Sequence, residues 1–294
     1  MDLSIIIVSY NTSELIVNCL RSVMATHGSG KEVFVVDNAS SDGSVAIIRE
    51  KFPSVHLMVN LENRGFAAAN NQVLPYCRGR YLFFLNPDTE VMPDTFRKAL
   101  SFMEANPRIG LAGAKIVNPD GTLQESASYR YPGQKYATGE LKGLKGNIAC
   151  VLGAGMIARD NIIRKIGGFD EDFFLYGEDQ DLCLKIRKAG YEIGYIPSAV
   201  VVHLGGQSER CCPRAELWKK KTQAELLFYQ KHYLPETIRR NLRGNLIKAC
   251  WRIVTLKMLL PFMRKKDTAR EKLIKYQAIY EVIRSFGNQD KRKG

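Results

Sequence analysis

The N-terminal third of the chain alternates short apolar runs with amphipathic stretches of helical length. LSIIIVSYN (3–11) is almost continuously apolar, which is typical of a parallel strand buried on both faces. Thr12 or Ser13 is placed to cap a helix whose apolar positions then recur at helical spacing. The same pattern predicts strands over 32–38, 55–60 and 80–86 and helices over 43–52, 66–76 and 93–106. This alternation predicts right-handed crossovers and therefore a doubly wound, mostly parallel α/β sheet flanked by helices.

The regular alternation ends after a strand predicted over 109–117. NPDG (118–121) is a turn signal before TLQES, so we expect a hairpin there. Residues 128–148 are rich in glycine, lysine and tyrosine, and we expect a mobile loop over the ligand-binding edge of the sheet. The remaining predicted elements are a strand over 149–159, a helix over 161–166, a helix containing Leu182, Ile186 and Ala189 that stops at Gly190, and an extended segment over 191–206.

The last part of the chain differs in charge from the rest. The whole chain carries +13, of which residues 1–208 contribute −1 and residues 209–294 contribute +14. A surface of that sign attracts nucleic acid, anionic lipid or an acidic substrate, and charge alone does not distinguish them. No recognised nucleic-acid-binding motif accompanies the charge, so we expect no nucleic-acid partner. Helices are predicted in this basic part over 217–233, 238–260 and 272–286.

Residues 246–262 are the most apolar piece of the basic part. Lys248, Arg252 and Lys257 interrupt them, so there is no uninterrupted run of ~18 apolar residues to span a bilayer. An interfacial helix fits this pattern better than a spanning one. We therefore predict one domain over 1–208 and a basic amphipathic helical extension over 209–294 that associates with an anionic membrane. The alternative is a helical cap that packs its apolar stripes on the core.

The cysteines and the N-terminus indicate a cytosolic chain. Seven cysteines are scattered without the paired spacing of a zinc site, so we expect mostly buried, reduced thiols. The chain opens on Met1 and Asp2 and runs at once into an apolar strand, without the features of a signal peptide.

Polar residues collect where the predicted strands end. The carboxyl ends of parallel strands lie along one edge of a sheet, where ligands bind in α/β folds. Loop chemistry alone explains any single one of these residues, but four strand ends together favour a binding site. The residues are Ser9, Tyr10 and Asn11 after the first strand, Asp37 and Asn38 after the second, Asn63 and Arg64 after the third, and Asn86 and Asp88 after the fourth.

Six motifs in order resemble the family 2 glycosyltransferases of the GT-A fold, especially their bacterial rhamnosyltransferase-like branch. The motifs are SIIIVSYN, VVDNASSDGS, ENRGFAAANN, FLNPDTEV, GGFDEDFFLYGEDQDLCLKIRKAGY and VVHLGG, and together they cover about residues 3–206. Each motif alone is weak evidence, whereas the ordered set is specific. The resemblance implies a GT-A catalytic domain over 1–208 that binds a nucleotide diphosphate sugar, with a dTDP- or UDP-sugar as donor.

The resemblance also implies roles at the strand ends. Ser9, Tyr10 and Asp37 hold the base and ribose of the nucleotide, and Asn63 and Arg64 lie near it. Asn11, Asn38 and Asn86 complete the expected nucleotide-sugar site. Arg64 is equally well explained as a surface cation.

The metal motif of the family is often Asp-x-Asp, and this chain has Asn86-Pro87-Asp88 in its place. One carboxylate is therefore missing from the common form. A hard divalent cation, Mg²⁺ or Mn²⁺, neutralises a nucleotide diphosphate with one or two carboxylates because phosphate oxygens supply further ligands. By the resemblance, His203 completes the metal site together with Asp88. The alternative for His203 is a satisfied core residue.

GEDQD (177–181) supplies three acids at a predicted helix start. In a purely structural interpretation, these acids complement the positive end of the helix dipole. The preceding Gly177 and the apolar run 173–176 instead suggest a packed loop that delivers carboxylates into a cleft, where burial raises a carboxyl pKa. The resemblance to the family implies that Asp179 is the catalytic base, with Glu178 as the second candidate or an acceptor-binding acid. Asp181 is expected to face the helix surface or a basic neighbour.

The sequence thus predicts an inverting, metal-dependent glycosyltransferase at the inner face of the plasma membrane. Its acceptor is expected to be a hydroxyl of a cell-envelope glycan or of a lipid-linked acceptor, with rhamnose as the preferred sugar. One alternative is a nucleotidyltransferase on a similar sheet, which releases pyrophosphate. The other is a peripheral membrane-binding protein whose catalytic site has decayed, an idea motivated by the missing carboxylate.

Overall fold

The computed structural model describes residues 1–27, 30–205, 212–262 and 266–290. An eight-stranded sheet has the strand order β3-β2-β1-β4-β9-β6-β10-β5, and β7 and β8 form a separate two-stranded sheet. The strands are β1 (Leu3–Ser9), β2 (Lys31–Asp37), β3 (His56–Val59), β4 (Tyr81–Leu85), β5 (Thr89–Val91), β6 (Ile109–Val117), β7 (Ala127–Ser128), β8 (Cys150–Val151), β9 (Gly155–Arg159) and β10 (Glu192–His203).

The large sheet is mostly parallel, as the alternating pattern predicts. Strands β3, β2, β1 and β4 pair parallel with one another in that order, and β6 pairs parallel with β10. Only β9 and β5 run antiparallel to the strands beside them. Nine α-helices are described, namely α1 (Ser13–Ala25), α2 (Ser44–Lys51), α3 (Phe66–Val73), α4 (Thr95–Ala105), α5 (Asp160–Ile166), α6 (Glu178–Lys188), α7 (Arg214–His232), α8 (Pro235–Leu259) and α9 (Lys266–Asp290).

The apolar runs become the buried core of this sheet. Every residue of β1 is buried, and its side chains at Ile5 and Ile7 join one cluster with Ile16 and Leu20 of α1. This is the arrangement expected of a central strand covered on both faces. Because these strands are fixed by burial, their carboxyl ends hold the following loops in defined positions.

Two compact units divide the chain. The first contains residues 1–131 and 143–207, and the second contains residues 132–142 and 208–294. The sequence prediction places residues 132–142 in the sheet-containing domain. In the structure, backbone carbonyls of this segment accept hydrogen bonds from side chains of the helical unit. Tyr233 Oη donates to Pro132 O (2.7 Å) and Asn241 Nδ2 donates to Gly133 O (3.2 Å). The middle of the expected mobile loop is therefore a hydrogen-bonded part of the helical unit.

The segment predicted as one strand over 149–159 is two strands. Val151 pairs with Ala127 in the small sheet, whereas Gly155 begins the β9 pairing with β4 in the large one. The predicted hairpin over TLQES is reduced to a turn with a single bridge between Val117 and Leu123. Two different sheets therefore meet at residues 152–154.

The start of α1 also differs from the prediction. Thr12 is the N-cap residue, but its side chain does not cap the helix. Its Oγ1 instead lies 2.7 Å from Ser9 Oγ, while Ser13 N donates to Asp42 Oδ2 (2.8 Å). The helix start is therefore stabilised by a carboxylate from the loop after β2.

Candidate active site

Ser9 and Asp37 lie side by side at the carboxyl ends of β1 and β2. They are register partners in the parallel pair, and both are fully buried. Asp37 Oδ1 accepts a hydrogen bond from Ser40 N (2.8 Å), whereas Asp37 Oδ2 is buried without a partner among the described residues. An unsatisfied buried carboxylate oxygen is costly, so its presence at the sheet edge marks a place where a ligand donor fits.

Asn11 links the loop after β1 to the loop after β2. Its backbone has a positive φ of 52°. Asn11 N donates to Ser40 Oγ (2.8 Å), and Asn11 Oδ1 accepts from Ser41 N (2.8 Å). Asn11 therefore holds the loop, while the neighbouring Tyr10 side chain is 49% exposed and accessible to a ligand.

Asn38 organises the loop between β3 and α3. Its Oδ1 accepts hydrogen bonds from Asn60 Nδ2 (3.0 Å) and Arg64 N (3.1 Å). Its Nδ2 donates to Asn63 Oδ1 (3.0 Å) and Gly65 O (3.1 Å). These contacts occupy both amide atoms of Asn38, so its structural contribution is to position the loop. The Arg64 side chain is exposed at the same edge.

The loop that leads to α6 is attached to the start of α3. Phe66 N donates to Phe174 O (2.9 Å), and Asn71 exchanges hydrogen bonds with the backbone of Phe169. Gly65 has a φ of +82°, and a Cβ there would lie 2.6 Å from Phe174 O. Only glycine tolerates both conditions. The loop after β3 therefore positions the loop that carries the acidic motif.

Glu178 and Asp179 form the first turn of α6, and their environments differ. Glu178 is buried, its Oε2 has no partner among the described residues, and burial together with the charge of Asp179 raises its pKa to about 8. Asp179 is partly exposed, and Asp179 Oδ1 accepts from Gln180 N (2.8 Å). Burial raises the pKa of Asp179 although backbone N–H groups of Gln180 and Gly153 lower it. Asp179 is thus the more exposed residue of the pair.

Asp181 does not lie on the helix surface, contrary to one of the two alternatives. It is 1% exposed, and its Oδ2 lies 4.0 Å from Lys185 Nζ. The other alternative, a basic neighbour, agrees with this geometry.

Asp88 and His203 come together through β5, which the sequence analysis does not predict. Strand β5 is antiparallel to the end of β10 and pairs Thr89 with His203. Asp88, one residue before Thr89, is buried, and its Oδ1 lies 3.3 Å from His203 Nε2.

Gln124 fixes the orientation of the His203 ring. Gln124 Nε2 donates to His203 O (2.8 Å) and Asn118 Oδ1 (2.6 Å), so the opposite amide atom is the oxygen. That oxygen lies 2.9 Å from His203 Nδ1, which must then be the donor. Nε2 of the neutral ring presents a lone pair toward the Asp88 carboxylate. Sequence reasoning missed Gln124 because a glutamine in a turn gives no local signal of this contact.

The Asp88–His203 pair has the chemistry of a partial metal site. Two electron-pair donors 3.3 Å apart require a proton or a cation between them. No group of three or more His, Cys, Asp or Glu residues is clustered for a metal within the described parts of the chain. The pair therefore fits a divalent cation only if a ligand supplies further oxygens, as a diphosphate does.

The segment between β8 and β9 connects the two acidic regions. Asn86 N donates to Ala154 O (3.2 Å), and the neighbouring Gly153 N–H contacts the Asp179 carboxylate. A Cβ at Gly153 would be 3.8 Å from Asp179 Cβ. The Asn86–Asp88 turn and Asp179 thus border the same short segment.

This sheet and its polar carboxyl edge define a GT-A glycosyltransferase fold, and comparisons with known proteins agree. A family model described as "Glycosyl transferase family 2" matches residues 4–167, so the chain belongs to that family. The N-acetylglucosaminyl-diphospho-decaprenol L-rhamnosyltransferase of Mycobacterium tuberculosis is 24% identical over 83% of this chain and 90% of its own length. The chain is a rhamnosyltransferase-like glycosyltransferase, as the motifs predict.

Two solved structures share the fold. A mannosyltransferase from Pyrobaculum calidifontis, in complex with GDP-Man and Mn²⁺, superposes with a TM-score of 0.62 at 19% identity, covering 95% of this chain and 86% of that one. S. aureus TarS 1–349 in complex with UDP-GlcNAc gives a TM-score of 0.56 at 16% identity, covering 98% and 92%. The predicted fold class is confirmed. Within the described residues, no helix combines the length and apolarity needed to cross a membrane.

Proposed function

We propose that this chain is an inverting transferase that moves a sugar from a nucleoside diphosphate to a hydroxyl of a cell-envelope glycan or a lipid-linked acceptor. Rhamnose is the first candidate sugar because the Mycobacterium relative is named for that transfer. A lipid-linked acceptor implies work at the inner face of the membrane. The observation that carries the proposal is Asp179, an accessible carboxyl with a raised pKa beside the segment that holds the Asn86–Asp88 turn.

Asp179 acts as the base in this proposal. Inversion requires the acceptor hydroxyl to attack opposite the leaving group and to lose its proton as it does so. A carboxylate with a raised pKa accepts a proton better near neutral pH than an ordinary aspartate. Partial exposure lets the acceptor reach Asp179, whereas the buried Glu178 is less accessible.

Glu178 remains protonated in the same pH range in which Asp179 works. Its pKa is raised to about 8 by burial and by the neighbouring Asp179 charge. Ionisation of Asp179 therefore disfavours ionisation of Glu178, so the pair favours a single negative charge over two. Glu178 thus limits the repulsion that a second buried carboxylate would add to the site.

The strand ends bind the donor in this proposal. The unpartnered Asp37 Oδ2 accepts a hydrogen bond from the nucleotide, and the exposed Tyr10 ring offers a stacking surface. Asn11, Asn38 and Asn63 hold the loops around this site, since their side chains bond to loop atoms. The Arg64 guanidinium is exposed and free to approach the phosphates.

Asp88 and His203 would hold a divalent cation. Bound there with the donor, Mg²⁺ or Mn²⁺ supplies charge neutralisation for the leaving diphosphate. The chain's own contribution is the orientation of the ligands, since Gln124 fixes the His203 ring and β5 fixes Asp88. The replacement of the first carboxylate by Asn86 leaves fewer protein ligands, so metal affinity should depend strongly on the nucleotide.

Product analysis tests the proposed reaction. The full chain is incubated with dTDP-rhamnose, UDP-GlcNAc or GDP-mannose, a lipid-linked acceptor and Mg²⁺ or Mn²⁺. We expect release of a nucleoside diphosphate and an inverted anomeric configuration in the product. Release of pyrophosphate from a nucleoside triphosphate would instead indicate a nucleotidyltransferase. Retention of configuration would contradict the assigned role of Asp179.

A further inference from the structure

Helix α8 carries a stripe of exposed apolar side chains. Ile247, Trp251, Val254 and Met258 follow each other at intervals of four, three and four residues, which places them on one face of the helix. They are 60%, 60%, 56% and 69% exposed, respectively. Phe262, in the 3-10 turn after the helix, is 85% exposed and continues the row. We call these five residues the α8 stripe.

The opposite face of α8 is already packed. Asn241, Ala249 and Leu256 are buried there, and the helix contacts α9 within the same compact unit. The α8 stripe is therefore not the core-facing side of the helix. Exposed contiguous apolar rows of this size are uncommon on soluble proteins and mark interaction surfaces.

Basic residues border the α8 stripe. Residues 237–266 contain nine Lys and Arg residues and no Asp or Glu. Among them, Arg243 and Lys257 lie on one side of the stripe and Lys248 lies on the other, and all three are exposed. Arg240 is exposed about two turns before the stripe begins. In this part of the sequence, the α8 stripe is thus accompanied only by positively charged side chains.

This charge argues for a negatively charged partner. Two copies of the chain joined stripe to stripe would bring two sets of cations together, which costs free energy. A nucleic acid would neutralise the cations but would leave the large apolar side chains facing phosphates. An anionic lipid surface satisfies both features, because the cations meet headgroups while the apolar side chains enter the acyl boundary.

We propose that the α8 stripe is the surface by which this protein docks on an anionic membrane, with α8 lying in the plane of the interface. Trp251 sits at the headgroup level in this arrangement, as amphipathic aromatic rings do at membrane interfaces. The inference deepens the proposed function, since a lipid-linked acceptor is reached from such a surface. Docking itself requires no turnover and can be measured separately.

Vesicle binding by the full chain tests the inference. The probes are vesicles of phosphatidylcholine alone and of phosphatidylcholine with phosphatidylglycerol. We expect binding to the anionic vesicles, weakened by salt, and little binding to the neutral ones. Replacing two stripe residues together, Ile247→Gln with Met258→Gln, should weaken anionic binding about tenfold or more.

A matched double variant elsewhere controls for the loss of exposed apolar surface. Leu61 and Leu123 are exposed in the other compact unit, and Leu61→Gln with Leu123→Gln should bind vesicles like the parent. Equal vesicle binding by the two double variants would overturn the inference. A dimer in light scattering that only the stripe variant converts to a monomer would also overturn it, in favour of a second copy.

Fluorescence quenching of Trp251 tests whether the α8 stripe contacts lipid, without altering any residue of the stripe. In a Trp218→Phe background, Trp251 is the remaining tryptophan. Brominated lipids in anionic vesicles should quench its emission and shift it to shorter wavelength. Unchanged Trp251 emission in bound protein would place the contact elsewhere and overturn the inference. Because no sugar donor is present, failure here is distinguishable from failure of the proposed glycosyl transfer.

Discussion

Asp88 Oδ1 lies 3.3 Å from His203 Nε2, although 115 positions separate the two residues in the chain. The short strand β5 produces this contact by pairing Thr89 with His203. The proximity is a property of strand register, so neither residue alone reveals it. It gives the substituted Asn86-Pro87-Asp88 motif a second ligand candidate.

Removing either member of this pair should weaken metal binding in the presence of a nucleoside diphosphate. We expect Asp88→Asn and His203→Ala each to lower the apparent Mn²⁺ affinity by about tenfold or more, because each removes one of two protein donors. Titration of Mn²⁺ followed by electron paramagnetic resonance measures this. Asp94→Asn removes a carboxylate from the N-cap of α4 and serves as the control. Unchanged titrations in both variants would count against the site.

Gln124 should affect metal binding because it orients the His203 ring. Gln124→Leu removes the acceptor for His203 Nδ1, and we expect metal affinity to fall by about 10-fold to 100-fold, as for other outer-shell partners. Gln124→Glu keeps an acceptor oxygen and should retain most of the affinity. Nitrogen chemical shifts of His203 report the tautomer directly. An Nδ1 without a proton in the parent protein would contradict the assignment.

Glu178 should make the folded state less stable as pH rises. The folded protein keeps this proton up to about pH 8, while the unfolded chain loses it near the ordinary value of 4.5. Between these values the folded state binds more protons, so the free energy of unfolding falls with rising pH by at most about 1.4 kcal/mol per pH unit. Glu178→Gln cannot ionise and removes this slope.

Thermal unfolding at a series of pH values measures that effect. Relative to the parent, Glu178→Gln should gain stability as pH rises from 5 to 8, by roughly 3 to 4 kcal/mol overall. The exposed Glu62→Gln is the control, and its stability should follow the parent. Parallel curves for Glu178→Gln and the parent would show that Glu178 ionises normally.

Two glycines with positive φ allow a paired test of how the loop before α6 is attached to the start of α3. Gly65 and Gly43 have φ values of +82° and +87°, but only a Cβ at Gly65 would collide with Phe174 O, while nothing lies within 4 Å at Gly43. Both alanine variants carry backbone strain of about 1 kcal/mol. Gly65→Ala should in addition lower kcat strongly, because it displaces the loop before Glu178. Equal kcat values in the two variants would show that the position of this loop does not affect catalysis.

The sequence predicts the parts of this molecule that depend on local pattern. Apolar runs such as residues 3–11 specify buried strands, and the polar residues that follow them specify one edge of the sheet. This edge carries Asp37 and Asp88, each of which directly follows or ends a predicted strand. The ordered motifs add the family, which the family model confirms.

Long-range pairing accounts for most of what the sequence does not predict. Strand β5 has three residues, too few for a periodic signal, and it exists because β10 offers an edge to pair with. The break at residues 152–154 arises because β8 and β9 join different sheets. The assignment of 132–142 to the helical unit likewise depends on hydrogen bonds from Tyr233 and Asn241. Such partners lie too far apart in the chain to leave a local pattern.

The burial of Asp181 has the same kind of cause. Three acids in a first helical turn complement the dipole, which predicts exposed positions. Which of them turns inward depends on the packing of α6 against the small sheet, where α6 contacts β8. Only the tertiary structure distinguishes the buried Glu178 and Asp181 from the accessible Asp179.

The most direct test of the account compares donor binding with turnover in Asp179→Asn. Calorimetry measures binding of the sugar nucleotide with Mn²⁺, and release of nucleoside diphosphate in the presence of acceptor measures transfer. The account predicts donor affinity within about threefold of the parent and transfer reduced by at least about 100-fold. It also predicts that transfer by the parent falls at acidic pH, with an apparent pKa above the ordinary 3.8 of aspartate. Transfer by Asp179→Asn at the rate of the parent would contradict the central claim.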